Sequence, residues 1–240
     1  MILIVPCYNE EKRLPVSGFI ADEQLFEAII FVNDGSTDNT QRILEELQKQ
    51  IEQHRCFVKA LNTNVGKGEA IREGVLHYFR DIVPQGQELT SSIGITDADL
   101  STPLKEMHRL GTVHRDSHLD ICQGARVALM GRNIQRSALK HYLGRVGATL
   151  ISEFLDLPIY DTQAGAKVIS AGVAQSLFEP PFVSRWLFDC ELYLRARQAN
   201  LTIAEEPMTT WIDQSRGSKV GLNAYLGALL DLARIYIKYK

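Results

Sequence analysis

Short apolar runs rich in β-branched residues alternate along this chain with longer stretches in which apolar residues recur every three or four positions. The runs are ILIV (2–5), AIIFV (28–32), CFVKAL (56–61), SIGIT (92–96) and LDICQGA (119–125). Between them, segments 38–53, 67–80 and 103–115 carry the period of helices with one apolar face. This alternation predicts an α/β fold: a mostly parallel sheet with helices on both faces. Thr102 followed by Pro103 reads as a cap with proline at the first helical position, and Asp38 or Thr37 as the cap of the helix over 39–53. Past residue 130 the rhythm changes. A long helical pattern covers 137–156, a strand-like run 166–170, a helix 187–200, a strand 202–212 and a terminal helix 222–238. No internal repeat or low-complexity linker interrupts the chain, so the predicted organisation is one domain over 1–240, divided by function into 1–115 and 116–240.

In open α/β sheets ligands bind beyond the carboxyl ends of the strands. Four polar clusters follow the first four predicted strands: PCYNE, NDGSTDNT, NVGKGEA and TDADLSTP. Parallel strands deliver all four to one edge, where they are expected to converge on a single cleft. Asp97 and Asp99 are spaced so that one carboxylate can hold a divalent cation while the other orients a sugar or ribose hydroxyl. Mg²⁺ or Mn²⁺ typically keeps one or two protein carboxylates and takes its other ligands from phosphate and water, which suits a nucleotide diphosphate. The plainer account of these acids is a helix-start cap favoured by the helix dipole. Asp34 stands at a strand end beside a glycine that permits close backbone approach. Lys67, between glycines, can reach a phosphate or a base, although NVGKGEA lacks the spacing and the trailing Ser or Thr of a Walker loop. No GxGxxG is present, which removes support for a dinucleotide site.

Composition narrows the field. The 240 residues are 45% hydrophobic and 23% charged, enough apolar material for a sizeable core. The net charge of −3 excludes a generally basic surface for nucleic acid. Cys7, Cys56, Cys122 and Cys190 lie far apart with no zinc-ligand spacing, and read as buried thiols of a reducing cytoplasm. The N-terminus has no basic region preceding a long apolar run, and no apolar run reaches 18 residues, so any membrane contact is expected to be peripheral. Two helical stripes bear on that contact. One is Leu222, Tyr225, Leu226, Leu229, Leu230, Ala233, Tyr236 and Ile237; the other is Leu139, Tyr142, Leu143, Val146, Leu150 and Phe154. Such stripes more often cover a protein's own sheet, and that is the expectation here; an interfacial helix is the alternative.

The segments IVPCYNEE, VNDGSTDNT, NVGKGEAIREGV, TDADLSTP, GAR, DTQAGAKVIS, RWLFDCELYLRA and GSKV stand in the order found in family-2 inverting glycosyltransferases with the GT-A fold. The chain most resembles the dolichyl-phosphate and polyprenyl-phosphate glucosyl- and mannosyltransferases, from residue 2 to about 238. The resemblance implies a metal-dependent transfer of a hexose, glucose from UDP-glucose before mannose from GDP-mannose, to a polyprenyl phosphate; a glycan hydroxyl is the alternative acceptor. It implies that 1–115 binds the nucleotide sugar and 116–240 the acceptor. Pro6, Tyr8, Glu10, Asp34 and Lys67 would hold the nucleoside, and Asp97 and Asp99 the ribose, diphosphate and Mg²⁺ or Mn²⁺. Ser101 stands where mannose synthases carry a metal-binding glutamine. Arg126, Arg216 and Lys219, with Lys140, would meet the acceptor phosphate through charge-assisted bonds. Asp189 falls where relatives acting on hydroxyl acceptors place a general base, and Asp161 would position the sugar. Ion pairing of Asp189 with Arg185 or Arg195 is the structural alternative. Location is expected in the cytoplasm, on the cytoplasmic membrane surface when lipid is the acceptor, and a homo-oligomer is compatible with the sequence.

Overall fold

The computed structural model describes residues 1–52, 54–85, 89–136, 138–214 and 222–239, and at 85, 138–146 and 222–226 the backbone only. The elements follow the chain as β1 (Ile2–Cys7), α1 (Val16–Asp22), β2 (Ala28–Asn33), α2 (Thr40–Gln50), β3 (Cys56–Ala60), α3 (Lys67–His77), β4 (Ser92–Ile95), α4 (Leu104–Asp116) and β5 (Ile121–Ala125). Then come β6 (Asn133–Gln135), α5 (Ala138–Leu155), β7 (Lys167–Ser170), α6 (Ala171–Phe178), α7 (Phe188–Gln198), β8 (Ile203–Pro207), β9 (Thr210–Ile212) and α8 (Leu222–Tyr239).

Seven strands form one twisted sheet in the order β3, β2, β1, β4, β7, β5, β8. The predicted mostly parallel sheet is what is found: β1 runs parallel to β2 and β4, β2 to β3, and β5 to β8, and β7 alone is antiparallel to its neighbours β4 and β5. β6 and β9 make a separate two-stranded parallel ribbon. Alternate residues of each strand face opposite sides. Ile2, Ile4, Ile30 and Val32 pack with α3, α6 and α7 in one apolar layer, while Leu3, Val5, Ile29 and Phe31 pack with α1, α2 and α4 in the other. Among the described residues all four cysteines are free and buried; burial pushes the Cys56 thiol up to about 12 and the Cys122 thiol up to about 11.

Three departures from the sequence pattern bear on the site and its surroundings; besides these, α1, β6 and α6 were not expected, and the cap residue of α2 is Asn39 instead of Asp38 or Thr37. Helix α4 begins at Leu104, with extended Pro103 as its cap residue, and the Thr102 hydroxyl lies 3.8 Å from Met208 Sδ instead of capping the helix. The strand expected over 202–212 is divided: β8 pairs in the main sheet and β9 leaves it to pair with β6. The third concerns the apolar stripes. On α8 it is Ile235 and Asp231 that are buried, whereas Leu229, Leu230 and Tyr236 are exposed and Ile237 is 83% exposed. Leu150 and Phe154 of α5 are exposed as well, and the Phe154 and Tyr236 rings meet at 4.8 Å. The described parts of both stripes therefore point outward, against the expectation of core packing. Asp231 explains the orientation of α8: its Oδ2 accepts the amides of Arg185 (2.9 Å) and Trp186 (2.8 Å), so the helix is anchored by a polar residue on its inner side. Among the described residues no helix is long and apolar enough to cross a membrane.

Candidate active site

The carboxyl ends of β1, β2, β3 and β4 lie at one edge of the sheet, and the loops that leave them are tied to one another. Asn9, at φ 52° after β1, accepts the Thr37 amide through Oδ1 (2.8 Å), and the Glu10 amide donates to Thr40 Oγ1 (2.7 Å). Asp34, just past β2, accepts the amides of Val65 (2.7 Å) and Gly66 (3.0 Å) and the Asn64 side-chain amide (2.8 Å). Burial pushes the Asp34 carboxyl up, against the lowering effect of the Val65 and Gly66 backbone amides and of Arg185. Gly35 is at φ 61°, and a side chain there would collide with the backbone of Thr63 and Asn64. The glycine in the predicted turn is therefore required by the approach of the next loop.

These loops enclose a cleft of about 450 Å³. Pro6, Tyr8, Glu10, Asp34, Lys67, Asp97 and Asp99 all line it, so all four polar clusters expected to converge contribute to its wall. Asn64, from the NVGKGEA cluster, lines it too, as do Arg13, Arg185 and Trp186, to which the sequence pattern assigned no place in the site. Arg13 pairs with Glu10 three residues back, while Arg185 donates to Asn64 Oδ1 (2.9 Å). An i, i+3 acid–base spacing was the only signal for Arg13; Arg185 reaches the cleft because α8 holds its backbone.

Lys67 donates to Asp97 Oδ1 at the cleft wall. Burial would raise the Asp97 carboxyl, but Lys67, with Lys167 and Arg126 behind it, outweighs that and holds it below the ordinary range. Asp97 rests against Gly165, where any Cβ would overlap its carboxylate. That contact is the physical use of the glycine in DTQAGAK. Asp99 Oδ1 accepts the Ser101 amide (3.0 Å). Ser101 is buried, outside the cleft lining, and its carbonyl accepts the Ile212 amide (2.9 Å).

Behind the cleft lie two buried ion pairs. Asp161 receives a fork from Arg126, Nε to Oδ2 and Nη2 to Oδ1, each 2.7 Å, and the Arg126 guanidinium sits 5.3 Å from the centre of the Trp211 ring. Burial raises the Asp161 carboxyl, yet Arg126 outweighs it and holds the group below its usual value. Glu205 of β8 fixes the backbone beneath by accepting the amides of Tyr160 (2.6 Å) and Asp161 (2.8 Å). Asp189, in the first turn of α7, pairs with Lys167 at 2.6 Å, and burial pushes its carboxyl up despite Lys167 and Lys67. The partner of Asp189 is thus Lys167 and not Arg185 or Arg195; Arg195 is engaged by Glu191 (2.9 Å). Lys167 is 1% exposed and begins β7. It reaches the site because β7 is antiparallel, which puts the start of this strand beside Ile95, the end of β4. Lys167 was marked in the sequence as a lysine inside the apolar run AKVIS, within the segment DTQAGAKVIS, and no role was attached to it.

Of the residues expected to meet an acceptor phosphate, Arg126 is held by Asp161, Arg216 and Lys219 lie outside the described residues, and so does the side chain of Lys140. Asp97 and Asp99 fit a hard divalent cation by donor chemistry. They are paired carboxylates at the wall of a cleft, and among the described residues no group of three or more acidic, histidine or cysteine side chains forms a complete protein cage. Two carboxylates are what Mg²⁺ or Mn²⁺ typically takes from protein when phosphate oxygens and water supply its other ligands.

The Glycosyl transferase family 2 model matches residues 2–178. A dolichyl-phosphate beta-glucosyltransferase of Trichomonas vaginalis is 30% identical over 249 residues, covering 99% of this chain and 71% of that protein. The dolichyl-phosphate beta-glucosyltransferase of Mus musculus is 29% identical, covering 99% and 75%. Among solved structures, glucosyl-3-phosphoglycerate synthase of Mycobacterium tuberculosis with phosphoglyceric acid superposes with a TM-score of 0.66 at 15% identity, covering 98% of this chain and 76% of that one. The same synthase with Mn²⁺, UDP-glucose and phosphoglyceric acid gives 0.64 at 13% identity, covering 98% and 78%.

Proposed function

The chain belongs to glycosyl transferase family 2 and has the GT-A fold, and from that premise we propose that it transfers glucose from UDP-glucose to a polyprenyl phosphate with inversion at the anomeric carbon. The observation that carries the reading is the meeting of Asp34, Lys67, Asp97 and Asp99 from three separate loops in one cleft at the carboxyl edge of the sheet. The relatives' names supply the sugar and the lipid class.

In this reading the nucleoside lies against Pro6, Tyr8, Glu10 and Asp34, and the diphosphate meets Lys67 and the metal-holding carboxylates Asp97 and Asp99. Mg²⁺ or Mn²⁺ bound there supplies charge neutralisation for the departing UDP. An oxygen of the lipid phosphate attacks the anomeric carbon from the face opposite UDP; the bond from that carbon to the UDP oxygen breaks, and a β-linked glucosyl phosphate results. Arg126, Lys140, Arg216 and Lys219 are assigned to the acceptor phosphate. Domain organisation follows the same division, with 1–115 serving the donor and 116–240 the acceptor.

A phosphate acceptor is already anionic at neutral pH and needs no base. The state of Asp189 favours it: this carboxyl is buried behind the cleft, outside its lining, and paired with Lys167, so it is not presented to a hydroxyl as a base. The outward stripes of α5 and α8 suit docking at a bilayer surface, where an extractable lipid acceptor resides. Incubation with radiolabelled UDP-glucose and polyprenyl phosphate is expected to give organic-extractable label. Label appearing only on a soluble glycan overturns the acceptor, and faster transfer from GDP-mannose overturns the donor.

A further inference from the structure

Two lysine–aspartate pairs stand at the cleft, Lys67–Asp97 in its wall and Lys167–Asp189 behind it, and they differ in access. Lys167 and Asp189 are sealed in, with side chains 1% and 7% exposed, whereas Lys67 and Asp97 are 41% and 39% exposed at the cleft wall. A sealed pair cannot exchange partners without leaving an uncompensated buried charge. A pair open to solvent is held weakly, and its members are free to exchange. Lys67 is also presented in a fixed direction. It is the first residue of α3, between Gly66 at φ 99°, where a side chain would press on Arg185, and Gly68, whose Cα abuts Phe188 so closely that a Cβ would overlap that ring. NVGKGEA therefore works as a mount for one cation rather than as a backbone cradle for phosphate.

The carboxylate that Lys67 covers is one of the two suited to a divalent cation, and the same ammonium is electrostatically coupled to Asp99 and Asp189. A metal arriving alone must displace Lys67 from Asp97 and tolerate its charge nearby. A metal arriving with a diphosphate meets no such competition, because the phosphate oxygens give Lys67 a new anionic partner as Asp97 is released. We propose that Lys67 is the resident counter-cation of Asp97 and transfers to the diphosphate when the metal binds, so that metal and nucleotide enter the site together. This rests on the reading of Asp97 and Asp99 as metal ligands, and the experiment separates the two.

Free Mn²⁺ is measured by electron paramagnetic resonance with the wild type, Lys67→Met and Lys67→Arg, with and without UDP. Methionine matches lysine in helix propensity, so α3 is preserved. Without UDP, Lys67→Met is expected to bind Mn²⁺ roughly fivefold more tightly than the wild type, the factor equivalent to one exposed ion pair, while Lys67→Arg stays close to the wild type. The factor by which UDP strengthens Mn²⁺ binding is expected to shrink in Lys67→Met, and by linkage the factor by which Mn²⁺ strengthens UDP binding shrinks equally. Equal Mn²⁺ affinity of Lys67→Met and wild type without UDP, with UDP still promoting binding in both, overturns the counter-cation role alone. No Mn²⁺ binding by any of the three proteins, even with UDP, overturns the metal assignment and the counter-cation role together.

Discussion

At the scale of single residues, the acids expected to do chemistry are held in different ways, and the holding decides what each can tolerate. Lys167 has the most to lose by removal. Truncating it leaves Asp189 buried without its partner, a change that costs about 3–5 kcal/mol when a buried pair is broken. Lys167→Met is expected to lose stability on that scale in urea unfolding, and Asp189→Asn in the same background is expected to restore much of it; a loss below about 1 kcal/mol would show the pair to be solvated. Asp161 carries a pH signature. Its folded carboxyl lies below the ordinary aspartate value of 3.8 because Arg126 outweighs burial. Its contribution is therefore present above 3.8 and is lost as pH falls through the lower folded value. The urea midpoint of the wild type is expected to drop more steeply than that of Asp161→Asn as pH is lowered from about 4 towards 2. Parallel slopes would mean that the fork is not formed. Neither partnership was legible in advance. Asp161 and Arg126 are 35 residues apart, and nothing in that interval of sequence hints that they touch.

At the scale of elements, the helical period of α8 was legible and its orientation was not. Spacing identifies which residues share a face; which face turns inward depends on what the helix meets. Here Asp231 turns inward to take two loop amides, Ile235 and Leu232 follow it into the apolar layer, and the richer stripe is left outside. Because Leu230 and Ile237 are exposed, Leu230→Asp with Ile237→Asp is expected to change unfolding free energy by no more than about 0.5 kcal/mol per site. The same pair is expected to reduce sedimentation with anionic phospholipid vesicles, which is the readout of bilayer docking. Destabilisation by several kcal/mol would mean that the stripe is covered. The short elements α1, β6 and α6 escaped the sequence pattern for a different reason: stretches of three to eight residues hold too few turns or alternations to display a period.

At the scale of the whole molecule, the sheet edge gathers ligands from loops far apart in sequence, so occupancy of the cleft should brace the fold. At about 100 times its dissociation constant, UDP with Mn²⁺ contributes about 2.7 kcal/mol. For a chain of this size that corresponds to a rise in Tm of about 5–10 °C. Thermal melts are expected to show this rise and to lose most of it on addition of EDTA; a rise unaffected by EDTA would count against the metal. What the sequence determined by itself was local or periodic: strands and helices from their repeats of two and 3.6, and the convergence of four loops, because parallel strands all end at the same edge. Tertiary structure alone decided how β7 runs, and with it that Lys167 stands beneath Asp189; how α8 is rotated, and with it that Arg185 and Trp186 line the cleft; and that Lys67 rests on Asp97. Periodicity is written in neighbouring residues, whereas the partner of a charge is chosen by strand order and helix rotation, which depend on the packing of the entire chain.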